Sequence, residues 1–146
     1  MSMPYLTPSI RIRKTPFSSR VNAAGVKAYT VYNHMLLPSF FTTPEEDCQH
    51  LKSAVQVWDV SVERQVEIVG PDALRLVQMT TPRDMSRMQD DQCYYVPMVD
   101  ASGRMMNDPV AIRLHQDRFW LSLADSDMLL YCKGLAAAAH LDVDVF

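Results

Sequence analysis

The chain has 146 residues, of which 48% are hydrophobic and 21% charged, and its net charge is −3. This length fits one domain of ordinary size, and the composition excludes a disordered acidic or basic polymer. The acidic balance argues against non-specific binding to nucleic acid, which needs a basic surface. No apolar run approaches the roughly 18 residues of a membrane span, and the amino terminus lacks the apolar core of a secretory signal.

The three cysteines, Cys48, Cys93 and Cys132, lie far apart in the sequence. They form no CxxC pair and no cluster with histidine at zinc spacing, so no metal site is predicted. A sparse, odd set of cysteines is typical of proteins in a reducing cytoplasm. We therefore predict a cytoplasmic protein with three buried or half-buried thiols.

Residues 1–43 contain four prolines and no sustained hydrophobic period, so we predict an irregular N-terminal arm with at most short strands. Its basic residues could bind an anion, but a solvated face is the simpler interpretation. Residues 44–146 carry regular elements and are predicted to form the domain.

The first predicted helix begins at Thr43, whose side chain can cap it, with Pro44 at the first helical position. The helix is expected to end near Ala54, with the side chains of Cys48, Leu51, Ala54 and Val55 buried. Residues 57–60 and 64–69 then have the pattern of strands. In the second, Val66 and Ile68 alternate with polar residues, which is the period of a half-buried strand.

Gly70 and Pro71 predict a turn into a second helix, which ends near Thr80. The remaining predicted elements are a strand at 93–99, a hairpin of 105–114 with 119–124, a helix from a cap at 125–127 to 139, and a strand at 141–146. This order favours an α+β fold, a mostly antiparallel sheet with helices packed on one face. Only four glycines occur, and none forms a phosphate-binding loop.

Asp108 is the first candidate for chemistry, because it lies between Asn107 and Pro109 at the start of an apolar strand. A partly desolvated carboxylate there can hold a cation or orient an amine for attack. The alternative is a turn residue that bonds its own backbone, and the local pattern alone favours that alternative.

Tyr94 and Tyr95 are adjacent in a predicted strand, so at most one of them can line a given pocket. An exposed aromatic ring can stack on a flat heterocycle or face a cation, but core and cross-strand packing is the simpler interpretation. The same ambiguity holds for Trp58, Trp120 and Tyr32.

Ser122 alternates with Leu121 and Leu123, so it points away from them and could bond a ligand carboxylate or face water. His34 has no evident partner carboxylate, and a structural role is the simpler interpretation. The spacing supports neither a Ser-His-Asp nor a Cys-His arrangement, and nothing in the pattern indicates metal catalysis.

Three segments together resemble the glycine-cleavage T-protein (aminomethyltransferase) family: VWDVS, VEIVGPDALRLVQMTTPRDMS and CYYVPMVDASGRMMNDPVAIRL. The family has a DVS element, a G-x-DA helix start, a TT-x-D helix exit, a strand with tyrosine and a G-x-x-x-DD turn. Order and spacing agree over residues 20–146. The resemblance implies a folate-binding domain of the aminomethyltransferase type at 44–146, cut short at its C-terminal end.

Two departures from the family motifs restrict the resemblance to one branch of the family. Family members usually have His-Met after DVS, where this chain has Val62-Glu63, and Asp-Asp where it has Asn107-Asp108. Segments such as TPFSSRV, GVKAYTVYNHMLLP and NDPV resemble the dimethylsulfoniopropionate demethylase branch. That resemblance implies transfer of a methyl group from a sulfonium donor to tetrahydrofolate, which gives 5-methyltetrahydrofolate and methylmercaptopropionate.

The resemblance also implies roles for individual residues. Asp108 matches the second acid of the paired turn and is expected beside the folate or the reacting centre, as a catalytic and folate-binding residue. Tyr95 is expected to contact folate or substrate, and Ser122 to contact substrate. The alternatives are an aminomethyltransferase that acts with a lipoyl carrier protein and a non-catalytic folate-binding module.

Family members are well over twice as long as this chain. We therefore expect an N-terminal portion of such an enzyme, inactive by itself. Exposed apolar surface on such a portion could be covered by a homodimer.

Overall fold

A computed structural model describes residues 9–124 and 127–146 of the chain. The chain divides into two compact units, unit 1 at Met1–Val62 and unit 2 at Glu63–Phe146. Composition suggested a division after residue 43, but the helix that follows this point contacts the strand before it within unit 1. The extent of a folate-binding domain at 44–146 stays a prediction.

Unit 1 consists of helix α1 (Ser18–Ala23), strands β1 (Ala28–Tyr32) and β2 (Met35–Phe40), and helix α2 (Pro44–Ser53). The two strands form an antiparallel hairpin. Asn33 and His34 form its turn with φ angles of +49° and +61°, which is the geometry of a type I′ turn. The arm is therefore more regular than its prolines suggested, and the hairpin lacks the usual turn glycine.

The start of α2 is confirmed, because the Thr43 side chain accepts a hydrogen bond from the Glu46 backbone N–H at 3.2 Å. The predicted buried side of α2 is wrong, since the helix buries no residue and Leu51 is 50% exposed. The predicted strand at 57–60 is also wrong: these residues have no ladder partner, and Val57 is 97% exposed. Periodicity cannot reveal whether an apolar side chain has a neighbour to pack against.

Unit 2 is built on a five-stranded antiparallel sheet in the order β4-β7-β8-β3-β9. The first edge is β4 (Cys93–Tyr95), followed by β7 (Val110–His115), β8 (Arg118–Leu123), β3 (Arg64–Val69) and β9 (Asp144–Val145). A separate ladder pairs β5 (Met98–Val99) with β6 (Met105–Asn107). Helices α3 (Ala73–Thr80) and α4 (Met128–Ala138) complete the unit.

The core of unit 2 lies between the sheet and the two helices. Inward side chains of β3 and β8, such as Ile68 and Phe119, pack with Leu76 of α3 and Cys132 of α4. The predicted α+β fold, with helices on one face of an antiparallel sheet, is confirmed. The predicted strand at 93–99 is interrupted at Pro97, which has no N–H to donate to a ladder.

The first strand of the predicted hairpin, 105–114, is likewise divided, into β6 and β7, at Asp108-Pro109. The predicted cap of α4 includes Asp125 and Ser126, which lie outside the described residues. Asp127 is at the N-cap position and makes no side-chain cap bond.

The prediction of three buried or half-buried thiols is correct only for Cys132. Cys48 and Cys93 are exposed. Burial of Cys132 raises the pKa of its thiol to about 11. No helix among the described residues is both long and apolar enough to cross a membrane.

Candidate functional site

The sheet of unit 2 has two chemically different faces. On β3 and β8, Val66, Ile68, Phe119, Leu121 and Leu123 are buried toward the helices. The alternating residues, which include Gln65, Glu67, Trp120 and Ser122, lie on the opposite face, called here the outer face. The outer face carries polar and aromatic groups that are not needed for the core.

A cross-strand row on the outer face brings predicted site residues together. Tyr95 of β4 lies opposite Val110 of β7, which lies opposite Ser122 of β8, and Ser122 lies opposite Gln65 of β3. With a strand spacing of about 4.8 Å, the Cα atoms of Tyr95 and Ser122 are about 10 Å apart. Such a separation is suited to a small ligand lying across β7.

Asp108 joins this row through Tyr95. The Tyr95 hydroxyl donates a hydrogen bond to Asp108 Oδ2 at 3.0 Å. Asp108 is exposed, and 53% of Tyr95 is exposed, so both groups are open to a ligand. The hydrogen bond to the Asp108 carboxylate raises the pKa of Tyr95, and partial burial and the negative charge add to the increase.

Replacing Asp108 should therefore change the titration of Tyr95. We expect the Asp108→Ala variant to lower the pKa of Tyr95 toward the ordinary value of about 10, because the acceptor and its charge are both removed. NMR titration of ¹³C-labelled tyrosine would measure this, with the signal assigned by Tyr95→Phe. Glu45→Ala, on the exposed side of α2, serves as the control, and an unchanged Tyr95 titration in Asp108→Ala would contradict the contact.

The two adjacent tyrosines are separated as their spacing predicted. Tyr94 packs against the core, and the Arg83 guanidinium carbon lies 4.3 Å from the centre of its ring. Arg83 also donates a hydrogen bond to the Tyr95 carbonyl oxygen at 2.8 Å. Arg83 therefore connects the segment between α3 and β4 to β4 itself. Its contacts are with the Tyr94 ring and the Tyr95 backbone, so the Tyr95 ring stays on the outer face.

Asn107, next to Asp108, is buried, and its side-chain amide bonds the backbone of Ala124. Its side chain is 5% exposed. Its Oδ1 accepts a hydrogen bond from the Ala124 N–H at 3.2 Å, and its Nδ2 donates one to the Ala124 carbonyl oxygen at 3.3 Å. The amide thus serves as donor and acceptor at once and joins the end of β6 to the end of β8.

Ser122 is held by two outer-face residues that the sequence did not single out. Gln65 Nε2 donates to Ser122 Oγ at 3.0 Å, and Ser122 Oγ donates to Glu63 Oε2 at 3.2 Å. The alternation within residues 64–69 predicted that Gln65 and Glu67 share a face, and it did not include Glu63. Only the β3-β8 register shows that Ser122 is the neighbour of Gln65.

The negative charge of Glu67, the acid of β3, is balanced by hydrogen-bond donors of β8. Glu67 Oε1 accepts hydrogen bonds from Trp120 Nε1 at 3.0 Å and from Arg118 Nε at 2.6 Å. The hydrogen bond from Trp120 has the largest effect on the pKa of Glu67, and with the bond from Arg118 it lowers that pKa. Trp120, one of the ambiguous aromatic residues, is thereby fixed as a half-buried ring on the outer face.

Unit 1 contains an open groove of about 930 Å³, which residues between Phe17 and Asp59 line. Asp59, of the DVS segment, accepts a hydrogen bond from Thr15 Oγ1 at 2.5 Å. Burial acts to raise the pKa of Asp59, but the bonds from Thr15 and Ser61 leave it lowered. Trp58, another ambiguous aromatic residue, lines this groove and is 62% exposed.

The other candidates do not add to the outer-face site. Tyr32 and His34 belong to the hairpin of unit 1, at the end of β1 and in the turn. Within 9–124 and 127–146, no group of three or more histidine, cysteine, aspartate or glutamate side chains is arranged as metal ligands. The predicted site residues Asp108, Tyr95 and Ser122 are all in unit 2, and their roles stay predictions.

Similar proteins of known name agree with the motif-based resemblance. The chain is 61% identical to the dimethylsulfoniopropionate demethylase of Ruegeria pomeroyi, over 98% of this chain and 39% of that protein. It is 28% identical to an aminomethyltransferase of Desulfitobacterium hafniense, over 75% of this chain and 30% of that protein. The chain therefore spans about two fifths or less of the length of these relatives.

A solved structure supports the same fold. The glycine cleavage system aminomethyltransferase T from Bartonella henselae superposes with a TM-score of 0.76 at 18% identity, over 92% of this chain and 38% of that one. The family model described as "GCVT N-terminal domain" matches residues 17–144. This match covers nearly all of the described residues, and the chain belongs to the GCVT N-terminal domain family.

Proposed function

We propose that this chain is the N-terminal part of a tetrahydrofolate-dependent methyltransferase that takes its methyl group from a sulfonium donor such as dimethylsulfoniopropionate. The observation that carries this proposal is the 61% identity to a dimethylsulfoniopropionate demethylase over 98% of the chain. Identity to the aminomethyltransferase of Desulfitobacterium hafniense is only 28%. We also propose a cytoplasmic location, which suits a folate enzyme of one-carbon metabolism.

The outer face supports a zwitterionic donor. Asp108 presents a carboxylate beside the exposed ring of Tyr95, to which it is hydrogen-bonded. A carboxylate attracts a sulfonium cation directly, and an aromatic face attracts it through the ring quadrupole. A sulfonium methyl group is already activated, so the protein needs no covalent nucleophile. Its task is to align the methyl group with its acceptor.

Tetrahydrofolate would supply the amine nitrogen that receives the methyl group. Two features of the outer face fit such a ligand: the Tyr95 ring is exposed enough for a flat heterocycle to stack on it, and the Asp108 carboxylate can accept N–H groups. Tyr95 orients the Asp108 carboxylate by donating to one of its oxygens. Domain extent, folate contact and the roles of Asp108, Tyr95 and Ser122 all belong to this proposal.

The first alternative is an aminomethyltransferase. The family's paired turn usually has two acids, whereas here the first position is Asn107, whose amide is committed to the Ala124 backbone. A single exposed acid at this turn favours methyl transfer. The second alternative is a folate-binding module without catalysis. Unlike either enzyme, such a module would bind folate and form no product.

The isolated chain is proposed to be inactive, because its relatives are more than twice as long. The test compares the 146-residue chain with the same chain completed by the remaining part of the Ruegeria pomeroyi relative. We expect 5-methyltetrahydrofolate from dimethylsulfoniopropionate and tetrahydrofolate only with the completed chain. In the completed chain, Asp108→Ala should lower kcat/KM by about 100-fold or more. The control Glu45→Ala should leave kcat/KM unchanged.

Two outcomes would contradict this proposal. Transfer from an aminomethylated lipoyl carrier protein, with none from the sulfonium donor, would favour the aminomethyltransferase. Thermal stabilisation by tetrahydrofolate without turnover of either donor by the completed chain would favour the binding module. Size-exclusion chromatography with light scattering would test the proposed homodimer of the isolated chain, for which we expect twice the monomer mass.

A further inference from the structure

Glu63 is placed where this chain departs from the family pattern. The segment after DVS reads Val62-Glu63, where the resembling family usually has His-Met. Val62 is buried, whereas Glu63 is exposed and begins unit 2 just before β3. Its Oε2 accepts a hydrogen bond from Ser122 Oγ at 3.2 Å, which places the Glu63 side chain on the outer face.

Glu63 determines what Ser122 can offer to a ligand. A carboxylate can only accept, so the Ser122 hydroxyl proton points to Glu63 Oε2. One of the two lone pairs on Ser122 Oγ is used by Gln65 Nε2. The group that remains is one acceptor lone pair, which suits a polarised C–H or a cation better than a carboxylate.

Glu63 also supplies a negative charge that forms no ion pair within the part of the chain that the structure describes. Among the described residues, the ion pairs to carboxylates use Asp72, Asp90, Asp117 and Glu67, and none uses Glu63. Glu67, four residues further along the chain and on the same face, is paired with Arg118 at 2.6 Å. The Glu63 carboxylate, just before β3, therefore adds negative charge beside Ser122, on the same outer face as Asp108, where the donor is proposed to lie.

We propose that Glu63 is a specificity-determining residue of the proposed methyl-transfer site. It keeps the Ser122 hydroxyl in the acceptor orientation and favours a cationic donor over the uncharged thioether that remains after methyl transfer. This inference rests on the proposed function. It explains why the family's methionine position carries an acid in a chain whose donor would be a sulfonium.

The test uses two ligands that differ by one methyl group and one positive charge. These are dimethylsulfoniopropionate and methylmercaptopropionate, titrated into the 146-residue chain and followed by the NMR signals of labelled Ser122 and Tyr95. Glu63→Gln keeps an acceptor for Ser122 and removes the charge. We expect it to weaken sulfonium binding about fivefold and to leave thioether binding unchanged.

The controls separate charge from structure. Glu45→Gln removes an equivalent exposed charge from α2 and should change neither affinity. Glu63→Met, the residue usual in the family, should lose the same preference for the cation. In the parent chain the preference should shrink as salt is raised, because an exposed charge is screened.

The outcomes distinguish this inference from the function on which it rests. If Glu63→Gln weakens the binding of both ligands equally, Glu63 acts only on structure and the inference is overturned. If the parent prefers the sulfonium and Glu63→Gln keeps that preference, the inference fails while the donor assignment stands. If the parent binds neither ligand, the donor site proposed on this chain and the role of Glu63 are both overturned.

Discussion

Replacing Gly70 by alanine should reduce the free energy of unfolding by about 4 kcal/mol, the sum of backbone strain and overpacking. Gly70 follows β3 with φ of +141°, a conformation that favours glycine. A Cβ there would lie 2.5 Å from the Asp142 carbonyl oxygen and 2.9 Å from Val143 Cα, both backbone atoms. The close contact would push the segment before β9 away from β3.

Two other glycines divide this effect into its parts. An added Cβ at Gly103, where φ is +78°, meets nothing within 4 Å, so Gly103→Ala should show the backbone strain alone, about 1 kcal/mol. Gly134→Ala, in open space on α4, should stabilise by about 0.5–1 kcal/mol. Urea unfolding followed by Trp120 fluorescence in a Trp58→Phe background would report on unit 2. Equal losses for Gly70→Ala and Gly103→Ala would refute the Asp142 contact.

Restoring the family's paired acid, by Asn107→Asp, should reduce the free energy of unfolding by about 3 kcal/mol at neutral pH. The side chain is 5% exposed and must donate to the Ala124 carbonyl oxygen, which a carboxylate cannot do. Burial would raise the pKa of the introduced carboxyl group above its unfolded value of about 4. The folded state then binds the proton more tightly, so the loss grows as the pH rises above 4 and vanishes below it.

Thermal unfolding of the parent and the variant at matched pH values between 4 and 7 would measure this loss. Asn22→Asp is the control, because Asn22 Oδ1 only accepts from the Tyr29 hydroxyl, at 2.6 Å, and an aspartate can do the same. We expect Asn22→Asp to unfold at the same temperature as the parent at both pH 4 and pH 7. A pH-independent loss for Asn107→Asp would mean that the introduced group stays solvated, and the bridge to Ala124 would be wrong.

Local signals predicted the elements whose causes are local. The cap at Thr43, the turn at Gly70 and the strand at Arg64–Val69 each depend on a few neighbouring residues, and all are present. The hairpin of unit 1 was missed because Asn33 and His34 take positive φ angles without glycine. The strand expected at residues 57–60 was wrong because apolar residues form a strand only when a partner strand is available.

The candidate site was predictable in part. Asp108, Tyr95 and Ser122 were named from position and resemblance, and the outer face brings them together. Glu63 and Gln65 were not named as site residues, and strand alternation assigned only Gln65, with Glu67, to the polar face. Their importance depends on which residue of β8 lies opposite them, and no local pattern specifies that pairing.

The sequence by itself determined the family, the α+β class and the residue types available for chemistry. Those follow from motif order, hydrophobic period and composition, which are properties of short segments. Only the tertiary structure decided that Asn107 is buried on Ala124, that Tyr95 is bonded to Asp108, and that Glu63 orients Ser122. These contacts join residues 13 to 59 positions apart, because the register of an antiparallel sheet sets them and sequence neighbours do not.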